Sequence, residues 1–529
     1  MRLVAAAVLI ALATTQPSLA QDAPAAFDIN EYVVDGNTTL PSLDIETAVY
    51  DFLGPGKSMA DVNRARESLQ KAYQARGYQS VVVDLPPQQV KGGVVHLQVV
   101  ENTVGRVRVE GAKYQSPQAI RDAVPSLAEG QVPNFNDAQA QLGQVNARPG
   151  RQVVPLVTPG VLPQTMDVTL KVNDTSPWRT SVEVNNDHSA NTPELRTQGS
   201  VRYDNLWQAG HSASLTYIVA PQDRNAAEVY AGSYLAPLGP DWSVLVSGYK
   251  SNSNANVVGG TTVLGKGNAF GLQAIRNLNA HGSYTQSVSL GIARKHFDQN
   301  VSLGEDTSKS PITYLPISIA YNGQSTSDTS TTTVGLTGTF GMRAGGSSSA
   351  DFDNLRYKAR ANFAYLKADL EHTFRFGTGF VLALRGTAQV SDSALVSSEQ
   401  FAAGGESTVR GYLEAEDTAD QGATGSIELR SPSLGSHLGD AVNDWRVHAF
   451  VDGAHLLLTN ALAQPIDVNQ PALGDQRVTR YELLSTGIGT RFGLFNVLTG
   501  SFEIAYPLRD GLITRAHDTR IHFSLKADL

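Results

Sequence analysis

The sequence predicts a mainly β protein: a transmembrane antiparallel β-barrel of about sixteen strands preceded by two small α+β domains. Three observations carry this. The chain opens with a secretory signal, its character changes near Thr175-Ser176-Pro177 from mixed α and β to strand after strand, and the later segments alternate apolar and polar residues with a period of two.

The signal comes first. Arg2 precedes an apolar run from Leu3 to Ala13, and small residues ending Ser18-Leu19-Ala20 mark cleavage after residue 20. That run is too short to span a bilayer, and no later segment reaches the roughly 18 to 20 apolar residues that a membrane helix requires. Residues 21–26 then form a short leader, with no room for a helix before the first strand.

A first α+β domain is expected over 27–102. Its strand Phe27 to Val34 ends at Asp35-Gly36-Asn37, helices cover Leu43 to Phe52 and Met59 to Ala75, and strands follow at Ser80 to Asp84 and Val94 to Val100. The same order recurs over 103–174: strand Val104 to Glu110, helices near Pro117 to Ala123 and Asn136 to Val145, strands near Val153 to Thr158 and Met166 to Val172. A unit of roughly 70 residues occurring twice reads as tandem domains, since solenoid repeats are shorter and more numerous.

The barrel is expected over 178–529. In Leu195 to Asn205, Leu195, Thr197, Gly199, Val201 and Tyr203 share one face, with Arg196, Gln198, Ser200, Arg202 and Asp204 on the other. Trp445, Val447, Ala449 and Val451 oppose Arg446, His448, Phe450 and Asp452; Ile521, Phe523, Leu525, Ala527 and Leu529 oppose Arg520, His522, Ser524 and Lys526. Each segment is near the ten residues or so that a tilted strand needs to cross the hydrocarbon layer, and an even number closes without an edge. A soluble sandwich or propeller is the rival; the signal peptide, the missing blade-length repeat and the charged polar faces argue against it.

Composition narrows the chemistry. The 529 residues carry a formal charge of −9, which offers no basic footprint for nucleic acid, and the absence of cysteine removes disulfides and thiol chemistry. Gly260 to Lys266 imitates a phosphate-binding loop but has Gly267 where a Ser or Thr would hold Mg²⁺. The eleven histidines show no metal-ligand spacing, no nucleophile elbow is present, and neither enzymatic activity nor a metal or other cofactor is predicted.

Residues Glu399 to Pro432 read EQFAAGGESTVRGYLEAEDTADQGATGSIELRSP. This stretch resembles the signature loop of two-partner secretion transporters, the haemolysin secretion-activation type of the superfamily of polypeptide-transport-associated (POTRA) domains plus barrel that also includes the BamA insertase. The match lies in Val409-Arg410-Gly411-Tyr412 behind Gly404-Gly405. Arg76-Gly77-Tyr78, Leu85 to Gln88 and Val94 to Glu101 resemble the end of a first POTRA domain, and Tyr234 to Gly239 resembles an early barrel strand. Phe450-Val451-Asp452-Gly453 resembles the strand motif Phe-x-Asp-x-Gly, with the Gly one place early.

The resemblance implies an outer-membrane exporter of a secreted, adhesin- or cytolysin-like partner protein, with two periplasmic POTRA domains that dock the substrate. It implies a loop at about 391–421 inserted in the lumen, where Arg410 pairs with Asp452 of the lumen motif Phe450, Asp452 and Gly453, and where Gly404, Gly405 and Glu428 support the loop. The polar-face position of Asp452 agrees, because a charge on the lipid face costs roughly 2 to 4 kcal/mol for Arg or Lys and less for an acid. Family members often carry a plug helix before the first POTRA domain; with so short a leader, gating is expected to rest on the loop. Outer-membrane lipid, the barrel-assembly machinery during biogenesis and a monomeric state complete the expectation. The alternative is an insertase that assembles other outer-membrane barrels, for which more POTRA units would be expected.

Overall fold

The computed structural model describes residues 26–146, 150–252, 256–258, 261–263, 266–303, 306–343, 345–465 and 475–529. The signal peptide and residues 21–25 of the leader lie outside them, as does part of the Gly260 to Lys266 segment. Two compact units divide at Thr175 and Ser176.

The N-terminal unit holds β1 (Phe27–Ile29), β2 (Glu31–Asp35), α1 (Ser42–Val49), β3 (Gly54–Lys57), α2 (Met59–Ala75), β4 (Val81–Asp84) and β5 (Val94–Glu101), then β6 (Thr103–Glu110), α3 (Pro117–Asp122), α4 (Phe135–Asn146), β7 (Arg151–Pro159) and β8 (Thr165–Asp174). Two three-stranded sheets result, ordered β2-β5-β4 and β6-β8-β7, each with its first strand parallel to the centre and its last antiparallel. In α2 the buried positions Val62, Ala65, Leu69 and Tyr73 follow the three- and four-residue spacing of one helical face. Leu69 and Tyr73 pack with Val81, Val83, Leu97 and Val99 of the sheet. The helix begins where the Asp61 carboxylate accepts the Ser58 backbone N–H at 2.9 Å, which satisfies a donor the first turn leaves free.

One element departs from expectation. The single strand foreseen at Phe27 to Val34 is broken at Asn30, where the N–H groups of Asn30 and Glu31 both donate to the Gly93 carbonyl. The bend sends β1 to pair with β3, so that only β2 joins the sheet.

The C-terminal unit is a closed antiparallel barrel of sixteen strands. Along the chain run β9 (Trp178–Asn185), β10 (Arg196–Leu206), β11 (His211–Val219), β12 (Glu228–Pro237), β13 (Trp242–Ser251), a small hairpin of β14 (Asn256–Val258) and β15 (Thr261–Val263), β16 (Lys266–His281), β17 (Tyr284–Leu303), β18 (Asp306–Thr326) and β19 (Ser330–Met342). After α5 (Ser349–Leu355) come β20 (Ala364–Arg375), β21 (Val381–Ser391), the short β22 (Phe401–Ala403) and β23 (Asp417–Ala419), β24 (Gln421–Arg430), β25 (Val442–Leu457), the two-residue β26 (Gln464–Pro465) and β27 (Asp475–Gln476), β28 (Arg480–Leu494), β29 (Leu498–Pro507) and β30 (Arg520–Asp528). β30 closes the ring on β9 through Ser524 to Asp528.

The two-residue period becomes the inside and outside of this wall. Leu215, Phe270, Leu290, Ile319, Ile427 and Ile488 are exposed on the outer face, as side chains awaiting lipid must be. Strand length is less uniform than the expected ten or so residues: β17 and β18 have 20 and 21 and stay paired from Tyr284 with Ser325 to Leu303 with Asp306. At about 3.3 Å per residue such a ribbon outruns the apolar layer, so these strands project beyond it.

Candidate functional site

The segment from the end of β21 to the start of β24 packs against inward-facing residues of the wall. Its β22 and β23 form a short ladder, Phe401 with Ala419 to Ala403 with Asp417, and present residues 404–416 as a tip. Gly404 and Gly405 turn the chain at φ of 110° and 97°, and a Cβ on either would collide with the returning side of the tip, at the Leu413 carbonyl and the Glu414 carboxylate respectively. The pair is therefore a turn and a close approach at once. Beyond it Val409 and Tyr412 are fully buried with Phe401, Leu456 and Leu483. The Tyr412 hydroxyl lies 2.8 Å from the Arg509 carbonyl and 3.0 Å from that of Leu484. Gly411, at φ 94°, donates its N–H to His522 Nε2 at 2.9 Å.

Arg410 is 4% exposed and saturates its donors. Nε and Nη2 reach the two oxygens of Asp452 at 2.7 and 2.9 Å, the two-point geometry that a planar guanidinium allows and an ammonium does not. Its backbone N–H adds a third contact to Asp452, at 3.2 Å. Nη1 reaches Glu428 at 2.6 Å and Glu503 at 3.4 Å, and Nη2 reaches the Ser426 hydroxyl at 3.2 Å. The guanidinium carbon lies 3.5 Å from the Phe450 ring centre, so charge and quadrupole attract in a desolvated setting.

Sheet register brings these partners together. Ser426, Asp452 and Ser485 lie in one cross-strand row, and Glu428, Phe450 and Gly487 in the next. Arg430, His448, Gly489, Glu503 and His522 form a third. A Cβ at Gly487 would strike the Phe450 ring, so that glycine makes room for the platform beneath Arg410. Arg491 serves the same acids, 3.0 Å from Glu428 and 3.1 Å from Glu503, while His448 Nε2 is 2.9 Å from Glu503. Glu428, His448 and Glu503 offer ligand atoms within 4.8 Å of one another, as a metal would need. Here guanidinium groups already engage both carboxylates, so the cluster is built as a charge-paired network.

Of the residues singled out from the sequence, Val409, Arg410, Gly411, Tyr412, Gly404, Gly405, Glu428, Phe450 and Asp452 converge on this lumen face. Gly453 does not and is corrected: it pairs with Gly425 in the row between Asp452 and Ala454, on the outward parity shared with Val447 and Val451. The inward place two residues after Asp452 belongs to Ala454. Sequence reasoning missed Glu503 and Glu416; the signal that could have found Glu503 is the alternation of Phe502, Ile504 and Tyr506 with Ser501, Glu503 and Ala505. Glu416 accepts the N–H groups of Leu413, Ile513 and Thr514 and the Thr514 hydroxyl, which ties the tip to the β29–β30 connection.

A second feature of the tip is a set of close carboxyls outside the strands. Burial, with the charges of Asp187 and Glu503, pushes Glu406 up to about 8, and burial with Glu183 pushes Asp187 up to about 6. Burial, then Asp187 and Glu406, drives Glu414 well above the ordinary carboxylate range. The Glu414 N–H donates to the His188 carbonyl, which joins the tip to the β9–β10 connection.

A closed sixteen-stranded barrel with an apolar outer face and an ion-paired loop in its lumen, preceded along the chain by two small α+β domains, defines a membrane-spanning β-barrel protein. The profile of the family described as haemolysin secretion/activation protein ShlB/FhaC/HecB matches residues 164–459, and that of the ShlB-type POTRA domain matches 27–102. The chain belongs to this family of two-partner secretion transporters. The outer membrane transporter CdiB of Dickeya dadantii (strain 3937) is 25% identical over 448 residues, 81% of this chain and 76% of that protein. The heme/hemopexin transporter protein HuxB of Haemophilus influenzae (strain ATCC 51907 / DSM 11121 / KW20 / Rd) is 20% identical over 392 residues, covering 70% of this chain and 66% of that one. Among solved structures, CdiB from Escherichia coli superposes with a TM-score of 0.58 at 20% identity, over 98% of this chain and 93% of that one. BamA from Haemophilus ducreyi lacking POTRA domains 1–3 superposes with 0.56 at 14%, over 96% and 100%. Fold alone does not separate exporter from insertase, and the family does. The protein is an outer-membrane transporter of a secreted partner, with its POTRA domains in the periplasm.

Proposed function

We propose that the exported polypeptide docks in extended form on the POTRA sheets and passes through the barrel lumen, gated by the loop that carries Val409 to Tyr412. The observation that carries the gate is the buried Arg410 on Asp452. A buried fork-to-carboxylate pair on the polar inner wall holds a loop in one place, yet it can be exchanged for other polar contacts when the loop moves. Docking finds support in the sheet orders. β4 and β7 each pair on one side only, so each offers an edge to an added strand, and β7 carries the exposed apolar residues Val154, Leu156 and Val157 beside it. Insertion by the barrel-assembly machinery and action as a monomer belong to the same reading.

The test of the gate is the exchanged pair. Arg410→Asp and Asp452→Arg singly should each impair secretion and alter single-channel conductance, and the two together should restore part of both, since pairwise coupling is what is claimed. Normal secretion by either single variant would sink the lock.

A further inference from the structure

The loop is anchored in a second place, at its first limb. Leu395 and Val396 lie fully buried among Phe297, Ile312, Tyr314, Phe352 and Phe363, and Glu399 follows them with 4% exposure. Its carboxylate receives Lys295 Nζ at 2.6 Å and the Tyr314 hydroxyl at 2.5 Å on one oxygen, and the Tyr365 hydroxyl at 2.8 Å on the other. These donors come from β17, β18 and β20, a sector of the wall separate from the β24, β25 and β29 that hold Arg410. Register brings two of them together: Lys295 and Tyr314 are cross-strand partners. Lys295 also lines a lumen cavity of about 530 Å³ whose other walls include Ser214, Ser233, Ser247 and Gln273. A chain lying in that space would meet the Lys295 ammonium.

We propose that Glu399 is a positioning residue for export, a second latch that holds the first limb of the loop on the β17–β20 sector through Lys295 while Arg410 holds the tip. This rests on the loop being the gate. Two anchors on separate sectors stretch the loop across the lumen, so releasing one leaves the other to return it. A buried carboxylate with three converging donors is suited to this role: removing its charge leaves the ammonium of Lys295 without its counter-charge, and the limb loses its reason to stay.

The test uses the full-length protein in planar bilayers and in secreting cells, with heat-modifiable gel mobility to confirm a folded barrel. Glu399→Gln keeps the shape and removes the charge; it should raise the frequency of large-conductance openings about tenfold or more. Lys295→Met should do the same, and the double variant should add little to either, because one pair is being broken. Glu399→Gln combined with Arg410→Ala should exceed both singles, because two latches are lost. If folded Glu399→Gln and Lys295→Met conduct like the parent while Arg410→Ala does not, the second latch is overturned and the gate stands. If Arg410→Ala is also unchanged, the gate reading itself falls.

Discussion

Replacing Arg410 by Ala separates the two contributions its neighbours make. Three carboxylates touch the guanidinium, but they are not equally orphaned by its loss. Glu428 keeps Arg430 at 2.7 Å and Arg491 at 3.0 Å, and Glu503 keeps His448 and Arg491. Asp452, fully buried, is left with the Ser426 hydroxyl at 2.7 Å and the Arg410 backbone N–H. Breaking a buried pair from one side costs about 3 to 5 kcal/mol, and since two of three acids stay paired the lower figure applies. A loss of about 3 kcal/mol in the docked state corresponds to a shift of roughly 150-fold toward the undocked loop. Hydrogen exchange of the amides at 409–413 should accelerate accordingly, with conductance fluctuations rising in the same preparation. Asp452→Ala alone should cost a similar amount, and the double variant should cost well below the sum, with a coupling of about 2 kcal/mol or more. Additive single and double variants, or unchanged exchange at Gly411 and Tyr412, would refute the argument that this pair docks the tip.

Two further outcomes follow from the same structure. Deleting Phe27 to Asp174 should abolish export while leaving a heat-resistant barrel, and Val154→Asp with Leu156→Asp on the β7 edge should reduce export and pull-down of an unfolded partner segment with little change in melting temperature; export that survives both would end the docking role. For pH, the docked tip binds protons more tightly than a free carboxyl does, with Glu406 raised from about 4.5 to about 8. Docking is then strongest in acid, weakens as pH climbs through that window and levels off above it, so open events should increase from pH 5 to 8 and Glu406→Gln should flatten the rise. A flat profile in the parent would contradict it.

Legibility in the sequence tracked the range of the interaction. The α2 face at Val62, Ala65, Leu69 and Tyr73 and the alternation of Trp445 to Asp452 are local, since a helix and a strand each impose a period that a reader can count. The break at Asn30 is not local: it depends on the Gly93 carbonyl, which two successive N–H groups share. The length of β17 and β18 was equally hidden, because pairing between two polar ribbons leaves no apolar boundary to read.

The loop divides in the same way. Arg410 and Asp452 could be named beforehand from motif and parity, since each sits in a recognisable stretch and Asp452 falls on the polar face of its strand. By itself the sequence determined two α+β repeats, a wall with an inside and an outside, and one arginine worth following. Only the closed barrel decided that Glu503, 93 residues from Arg410, and His522, 111 from Gly411, stand beside the tip, and that Lys295 reaches Glu399 across 104 residues. Gly453 stands out of the lumen by a single step of phase, on the parity it shares with Val447 and Val451. The physical reason is that a strand tells which face a side chain takes, whereas its neighbours across the barrel are set by register and ring closure, and these exist only once every strand has paired.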